Sequence, residues 1–383
     1  MTLTNLQQEF AHLLLDRPIW IKAPGRINLI GEHTDYNHGF VFPAAIDNQI
    51  AFGISKHDQE GVASIHSANL TDKVDFSLGH LDLEERGWVK YLQALLQVWM
   101  EKGYPTEGFR MVFGGNIPIG AGLSSSAAMG TGLLFGLGHM HGIELDRWDI
   151  AKMAQAAEHK IGANVGIMDQ FAVLFGKMDK AMVLDCRDHT FEYFPIHLPD
   201  HELVLINTKV SHSLAESAYN DRRAACESVL AWFKEKDSSI STLRDISSEM
   251  LAANRSSIDP IKFKRVWNVL QENRRVFEAS DSLKANDLNR LGKLLYEAHE
   301  GLSKDYEVSC KELDILVDLA KKEEAVLGAR MMGGGFGGCT LNLMKKSGAD
   351  AAIQRIMASY EETTQLKPEV YRVKIGEGVH LAE

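Results

Sequence analysis

The stretch Gly114-Gly115-Asn116-Ile117-Pro118-Ile119-Gly120-Ala121-Gly122-Leu123-Ser124-Ser125-Ser126-Ala127-Ala128 decides how the chain is read. Gly120 and Gly122 let the backbone turn tightly and approach a ligand closely. Ser124, Ser125 and Ser126 stand where a helix begins, and the residues from Ala127 to Phe135 read as that helix. A helix N-terminus presents unpaired N–H groups and a partial positive charge, which suits an anion, phosphate first among them. This is not the Gly-x-x-x-x-Gly-Lys-Ser/Thr loop, because no lysine follows Gly120 or Gly122. The charge of a bound phosphate must then be met by backbone, a metal ion and residues elsewhere in the chain. An ordinary serine N-cap after a glycine loop fits the same letters.

Outward from that loop, 383 residues are long for one core, so two domains are expected. A hydrophobic content of 45% and a charged content of 24% are those of a globular protein. The net charge of −11 argues against general binding to nucleic acid or to an anionic membrane, yet leaves room for a nucleotide held by a local loop. No apolar run approaches a membrane span. The N-terminal residues 1–10 read as an amphipathic helix without the regions of a signal peptide. Cys186, Cys226, Cys310 and Cys339 form no Cys-x-x-Cys pair, the pattern of a reducing, cytoplasmic setting.

Taken in order, residues 20–31 have strand character broken by Pro24-Gly25 and run into the polar loop 32–39. Strands are expected at 40–46, 50–54, 62–65 and 109–113. Apolar residues at helical spacing predict a helix from Trp88 to Lys102. Further helices are expected at 124–141 and 149–160, a loop at 162–171 and a strand at 181–185. Polar residues and prolines at 191–200 suggest the domain boundary, giving domains of 1–195 and 196–383. The second half opens on a strand at 203–207. Helices follow at 215–234, 260–280, 285–302 and 310–322. A second glycine run, Met332-Gly333-Gly334-Gly335-Phe336-Gly337-Gly338, leads into a strand at 339–344. A helix at 349–365 and a strand at 369–373 close the chain. Interspersed helices and strands make the class α+β.

Glu32, His33, Asp35, Asn37 and His38 fall within seven residues, beside Arg26 and Asn28. Carboxylates and an imidazole can serve several hydroxyls of a polar ligand and reject one that leaves them unpaired. A metal site and a solvated turn fit the same composition. The glycine run at 333–338 precedes its strand rather than opening a helix, unlike a dinucleotide fingerprint. A flexible backbone closing over a ligand or a tight inter-strand turn is expected there. Asp169, among apolar neighbours in Gly166-Ile167-Met168-Asp169-Gln170-Phe171, suits a general base or a structural carboxylate. Glu158, near a helix C-terminus, opposes the macrodipole and so points to a nearby cation. His139 and His141 are assigned to a helix surface.

Together, 115–128, Met331 to Cys339 and Gly25-Arg26-Ile27-Asn28-Leu29-Ile30-Gly31-Glu32-His33-Thr34-Asp35-Tyr36-Asn37 resemble the GHMP small-molecule kinases. The last of these is similar to the galactokinase family signature, which other GHMP members lack. The resemblance covers essentially the whole chain and implies a two-lobed α+β fold with the active site between the lobes. It implies transfer of the γ-phosphoryl of MgATP to the C1 hydroxyl of α-D-galactose, the first step of galactose utilisation. Carried over residue by residue, it makes Asp169 the general base and Arg26 the stabiliser of charge. Glu32, His33, Thr34, Asp35 and Tyr219 would bind the sugar. Gly120, Ala121, Gly122, Leu123, Ser124, Ser125 and Ser126 would wrap the triphosphate, and Ser126 and Glu158 would ligate Mg²⁺. Trp88, with Tyr91 and Ser67, matches positions near adenine and ribose.

One serine, one carboxylate and phosphate oxygens are a fitting ligand set for Mg²⁺. Phosphoryl transfer asks the protein mainly for alignment and charge stabilisation. The chain departs from the family pattern in one place, an interval from Glu158 to Asp169 that is one residue shorter, around His159–Gly162. The alternatives are a kinase for N-acetylgalactosamine or another sugar, and a non-catalytic galactose and ATP sensor. Sensors lack part of the phosphate loop or the base, whereas Ser126-Ala127 and Asp169 are present here. No nucleic-acid, membrane or protein partner is implied.

Overall fold

The computed structural model describes residues 1–15, 17–84, 87–118, 120–211 and 215–382, without the side chains of residues 211, 215 and 216. Ile119 of the first glycine loop lies outside the described residues. Helix α1 (Leu3–Phe10), capped by the Thr2 side chain, precedes strand β1 (Ile19–Asn28). Next come β2 (Phe40–Val41), β3 (Pro43–Lys56), β4 (Val62–Ser67) and β5 (Asp72–Ser77). Helix α2 (Trp88–Glu101) and strand β6 (Phe109–Gly115) lead to the loop and to α3 (Ser125–Met140). After α4 (Arg147–Lys160) and α5 (Met168–Phe175) come β7 (Lys180–Asp185), β8 (Phe191–Pro195) and β9 (His201–Ser211). The helices α6 (Ala215–Lys236), α7 (Ser248–Ala253), α8 (Pro260–Lys284), α9 (Leu288–Glu300) and α10 (Lys311–Ala320) follow. Strands β10 (Val326–Met331) and β11 (Gly337–Lys345), helix α11 (Lys346–Thr364) and strands β12 (Glu369–Val373) and β13 (His380–Leu381) complete the chain.

Three sheets organise these elements, in the orders β13-β1-β3-β6-β4-β5, β10-β11-β9-β12 and β2-β7-β8. Every pairing is antiparallel except β4 with β6. The expected α+β class is thus observed. One face of the six-stranded sheet carries α3. That helix comes close because Gly132 and Gly136 face the sheet, where an added Cβ would lie 2.4 Å from the side chains of Phe52 and Ile54. Leu133, Leu134 and Leu137 are buried alongside, and burial of one such side chain contributes about 1.5–3 kcal/mol. On the opposite face, Leu6 of α1 and Leu14 pack against Ala51 and Val112.

Four local expectations are corrected. The strands expected at 40–46 and 50–54 are instead a short β2 and one 14-residue β3. β1 pairs with β3 on both sides of the turn-like Asp47-Asn48, and the Asp47 N–H donates to the Lys374 carbonyl at 2.9 Å, tertiary hydrogen bonding overriding local propensity. The loop expected at 162–171 ends early, because Met168, Phe171 and Ala172 share a buried helical face and start α5, so Asp169 sits in a first helical turn. Residues 191–195, expected in an interdomain stretch, are strand β8, paired to β7 with Phe194 buried. His141 is not on the surface: its ring lies 6.1 Å from that of Trp99, and its side chain is buried. β5 went unanticipated because it is a six-residue edge strand in which only Val74 and Phe76 alternate with exposed polar residues.

Candidate active site

The first glycine loop connects β6 to α3, and its geometry departs from a serine-capped helix. Ser124 holds the N-cap position with φ 59° and ψ 47°, and its side chain makes no capping hydrogen bond. The hydroxyl turns away and donates to Asp169 Oδ2. The first N–H groups of α3 are therefore left without a side-chain cap, an anion-binding arrangement. Gly120, Gly122 and Ser126 are exposed, while Ala121 and Leu123 are buried beneath them. The second glycine run packs against the first, since a Cβ on Gly333 would lie 3.4 Å from the Gly122 carbonyl oxygen.

Arg26 stands where β1 changes register between Pro24 and Arg26. Its Nε donates to Asp169 Oδ1 at 2.8 Å and its Nη2 to Oδ2 at 2.9 Å, a bidentate pair. The remaining Nη1 donates to the Gly122 carbonyl at 2.6 Å. One guanidinium thus joins the aspartate to the glycine loop. Asp169 keeps part of its side chain accessible, at 31% exposure against 5% for Arg26.

Beside this pair lies a cavity of about 280 Å³ lined by Arg26, Glu32, His33, Asp35, Asp169 and Tyr219, with backbone of both Gly166 and the second glycine run. Glu32 Oε1 accepts from Arg330 Nη2 at 2.6 Å and from the Gly333 N–H at 2.8 Å. Burial lowers His33 to about 3, the Gly334 backbone acting the other way, so its imidazole is neutral. Burial, with Asp169 adding to it, raises Asp35 to about 6. Gly166 makes room for that carboxylate, because an added Cβ would lie 1.8 Å from Asp35 Oδ2. Thr34 is set apart: its buried hydroxyl shares its one proton between the Gly31 and Phe40 carbonyls, and it does not line the cavity.

Glu158 is buried near the end of α4, where the Gln170 amide donates to its Oε2 at 2.9 Å. Burial raises it to about 7, Asp169 adds to the effect, and the Ser126 hydroxyl and Gln170 oppose it. After Glu158 the chain makes a tight turn, in which the Ala163 N–H donates to the Glu158 carbonyl at 3.0 Å. Among the described residues no group of three or more His, Cys, Asp or Glu side chains is placed to hold a metal. Farther along, Ser67 pairs in register with Phe113 and Trp88 packs its ring 5.4 Å from Phe113, so both gather where β6 enters the loop. The Trp88 indole N–H donates to Asp72 at 3.2 Å, and Tyr91 is buried in α2.

Sequence reasoning missed Gly166, Arg330 and Gln170. Arg330 had a signal, a lone charge inside the otherwise apolar strand β10, and it is fully buried. Gln170 had none, since its partner Glu158 is reached only through the packing of α4 against α5.

Family models match three parts of the chain: the galactokinase galactose-binding signature at residues 8–56, the GHMP kinases N terminal domain at 89–177 and the GHMP kinases C terminal at 279–362. The galactokinase of Clostridium beijerinckii is 40% identical over 362 residues, 93% of this chain and 92% of that one. The chain belongs to the galactokinase family. The galactokinase of Thermosipho africanus is 38% identical, with 94% of this chain and 98% of that one covered. Among solved structures, Lactococcus lactis galactokinase complexed with galactose superposes with a TM-score of 0.94 at 33% identity, covering both chains entirely. Methanococcus jannaschii mevalonate kinase, at 18% identity and a TM-score of 0.64 over 94% of this chain and 99% of that one, shares the fold. Membership in the family makes the chain an ATP-dependent sugar kinase of two-lobed GHMP fold, with its site in the cleft between the lobes.

Proposed function

We propose that the chain transfers the γ-phosphoryl of MgATP to the C1 hydroxyl of α-D-galactose, giving α-D-galactose 1-phosphate and ADP. The observation that carries this reading is the convergence of Arg26 and Asp169 at the junction of the uncapped α3 N-terminus and the polar cavity. The bound galactose in the Lactococcus lactis relative supports the choice of sugar.

In this reading Asp169 takes the proton of the C1 hydroxyl. Its Oδ2 already accepts from Arg26 and Ser124, whereas Oδ1 accepts only from Arg26 Nε among the described residues. A carboxylate oxygen has two lone pairs, so Oδ1 is the atom with one left for the sugar. Arg26 holds the carboxylate in place, and its charge lies beside the transferring phosphoryl. Glu32, His33, Asp35 and Tyr219 accept and donate to the remaining hydroxyls. Thr34 contributes by shaping the turn that presents His33 and Asp35. Gly120 to Ser126 and the N–H groups of α3 receive the phosphates, with Ser67 and Trp88 on the adenosine side.

Mg²⁺ fits the residues present. Ser126 is exposed beside a buried carboxylate that makes no salt bridge among the described residues, where Gln170 Oε1 is also buried without a hydrogen-bond partner. Ser126 and Glu158 would hold the ion, which would neutralise phosphate charge. We place the domain division at 195/196: β9 to β12 lie wholly beyond it, and only β13 returns to the first sheet. The free thiols of all four cysteines support a cytoplasmic setting.

The test is ADP release with MgATP across galactose, N-acetylgalactosamine, mevalonate and homoserine. Turnover is expected with galactose. Turnover of another acceptor with none of galactose overturns the substrate, and galactose binding without any ADP release overturns the kinase reading.

A further inference from the structure

His33 is the most constrained of the cavity residues, and its constraints lead away from the cavity. Its backbone is left-handed at φ 61°, which a β-carbon-bearing residue adopts at a cost of about 1–3 kcal/mol. Its ring is neutral and so carries a single N–H, on one nitrogen or the other. Nε2 is buried with no hydrogen-bond partner among the described residues, while Nδ1 lies 2.9 Å from Tyr36 Oη.

From Tyr36 the chain of contacts continues inward. Tyr36 Oη is 2.9 Å from Tyr306 Oη, which is 3.6 Å from Cys226 Sγ. Tyr306 and Cys226 are fully buried. Burial pushes the Cys226 thiol up to about 12 and both phenols well above their ordinary value, so all three keep their protons. Each link then carries one proton. In either direction of ordering, the proton on the inner groups determines which nitrogen of His33 carries the other.

The inner end is firmly fixed. Tyr306 follows a π-helical turn at Gly301–Asp305, a distortion often found at functional sites. Arg222 Nε donates to the Tyr306 carbonyl at 2.8 Å, and Arg222 Nη2 donates to the Glu307 carbonyl at 2.8 Å. The ring of Tyr219, on the same helix as Cys226, lies 5.2 Å from His33 and 5.1 Å from Tyr36. The ring of His33 therefore has little freedom to turn, and three elements far apart in sequence hold it.

We propose that Tyr36 and Tyr306, with Cys226 closing the series, are positioning residues that fix the rotation and tautomer of His33 toward the sugar. The proposal rests on the galactose-phosphorylating reading of the same cavity. None of the three need touch the sugar; they act through His33 Nδ1 on a ring that lines the cavity. Breaking a buried link leaves its partner unsatisfied and frees the imidazole to adopt the wrong tautomer.

Tyr306→Phe keeps the ring packing and removes only the hydroxyl. Galactose KM is expected to rise roughly tenfold, with kcat and the KM for ATP unchanged within about twofold. A purely structural role would disturb both substrates. Monodeoxygalactoses add a second readout. The sugar whose penalty disappears in His33→Ala reports the hydroxyl that meets His33, and Tyr306→Phe must lose its effect with that same sugar. An unchanged galactose KM, or an equal rise with every deoxy sugar, overturns the proposal. If Tyr306→Phe does not fold, Tyr36→Phe carries the same expectations. Lack of galactose turnover by the parent overturns both readings, whereas a parent that turns over galactose beside an unaffected variant overturns the relay alone.

Discussion

Glu158→Gln is expected to make the protein more stable and less active. Burial, reinforced by Asp169, raises the Glu158 carboxyl from 4.5 to about 7. Its folded value lies above its unfolded value, so between the two the folded state binds more protons. Stability from this group therefore falls as pH rises from 4.5 towards 7, and the full penalty is present above that. One unit corresponds to about 1.4 kcal/mol, so Glu158 costs the fold about 3 kcal/mol at pH 8, where it is ionised in both states, and about 1 kcal/mol at pH 5, where only the unfolded chain ionises it. Glutamine is uncharged at both, and its side-chain oxygen can still accept from Gln170.

The assay is urea unfolding of parent and variant at pH 5 and pH 8 in a metal chelator. The variant should gain about 2 kcal/mol more at the higher pH. The same substitution removes a proposed Mg²⁺ ligand, so ADP release should fall as stability rises, the trade expected where a site holds unfavourable charge for function. An equal gain at both pH values, or none at pH 8, would refute the assignment of the cost to this carboxylate.

Asp169→Asn should abolish most turnover while leaving galactose affinity largely intact, read by single-turnover kinetics and equilibrium binding; equal loss of both makes Asp169 a binding residue. Arg330→Leu leaves Glu32 buried without its cation, and denaturant melts should show a loss of about 3–5 kcal/mol. Asp35, raised to about 6, is protonated below that value and loses an acceptor. Galactose KM should therefore rise as pH falls from 7.5 to 5.5, and a flat profile would count against its contact with the sugar.

Much of this site was legible as three motifs, because each carries its geometry locally. A glycine loop entering a helix suits an anion as well as a plain serine cap, and a dense cluster of polar residues after a strand suits a hydroxylated ligand, a metal or a solvated turn; the resemblance to a family chose among them. Asp169 was legible as a residue but not as an element, since the helical face of Met168, Phe171 and Ala172 counts only once α4 and the sheet cover it. The pairings of Arg330 and Tyr306 were beyond reach for a different reason. Their partners Glu32 and Tyr36 lie 298 and 270 positions away, and no local pattern marks a pairing made by the closing of one lobe on the other. β5 and β8 were lost to the weak signal of edge strands, whose exposed polar residues resemble loops.

The conformation of Ser124 ties the two halves of the proposed reaction together. A serine in the ordinary N-cap conformation would spend its oxygen on an N–H of α3. Here it is left-handed, at an expected cost of about 1–3 kcal/mol, and its hydroxyl goes to Asp169. That choice leaves the α3 N–H groups to a phosphate and occupies Oδ2, so that Oδ1 is the oxygen left with a lone pair for the sugar. Arg26 completes the coupling by holding both the Gly122 carbonyl and the same carboxylate. In the proposed reaction a loop without a lysine would serve phosphoryl transfer because its cation comes from β1, already fixed to the proposed base. The proposed phosphate site and the proposed base are tied by the same two side chains, Arg26 and Ser124, so a shift in one should displace the other.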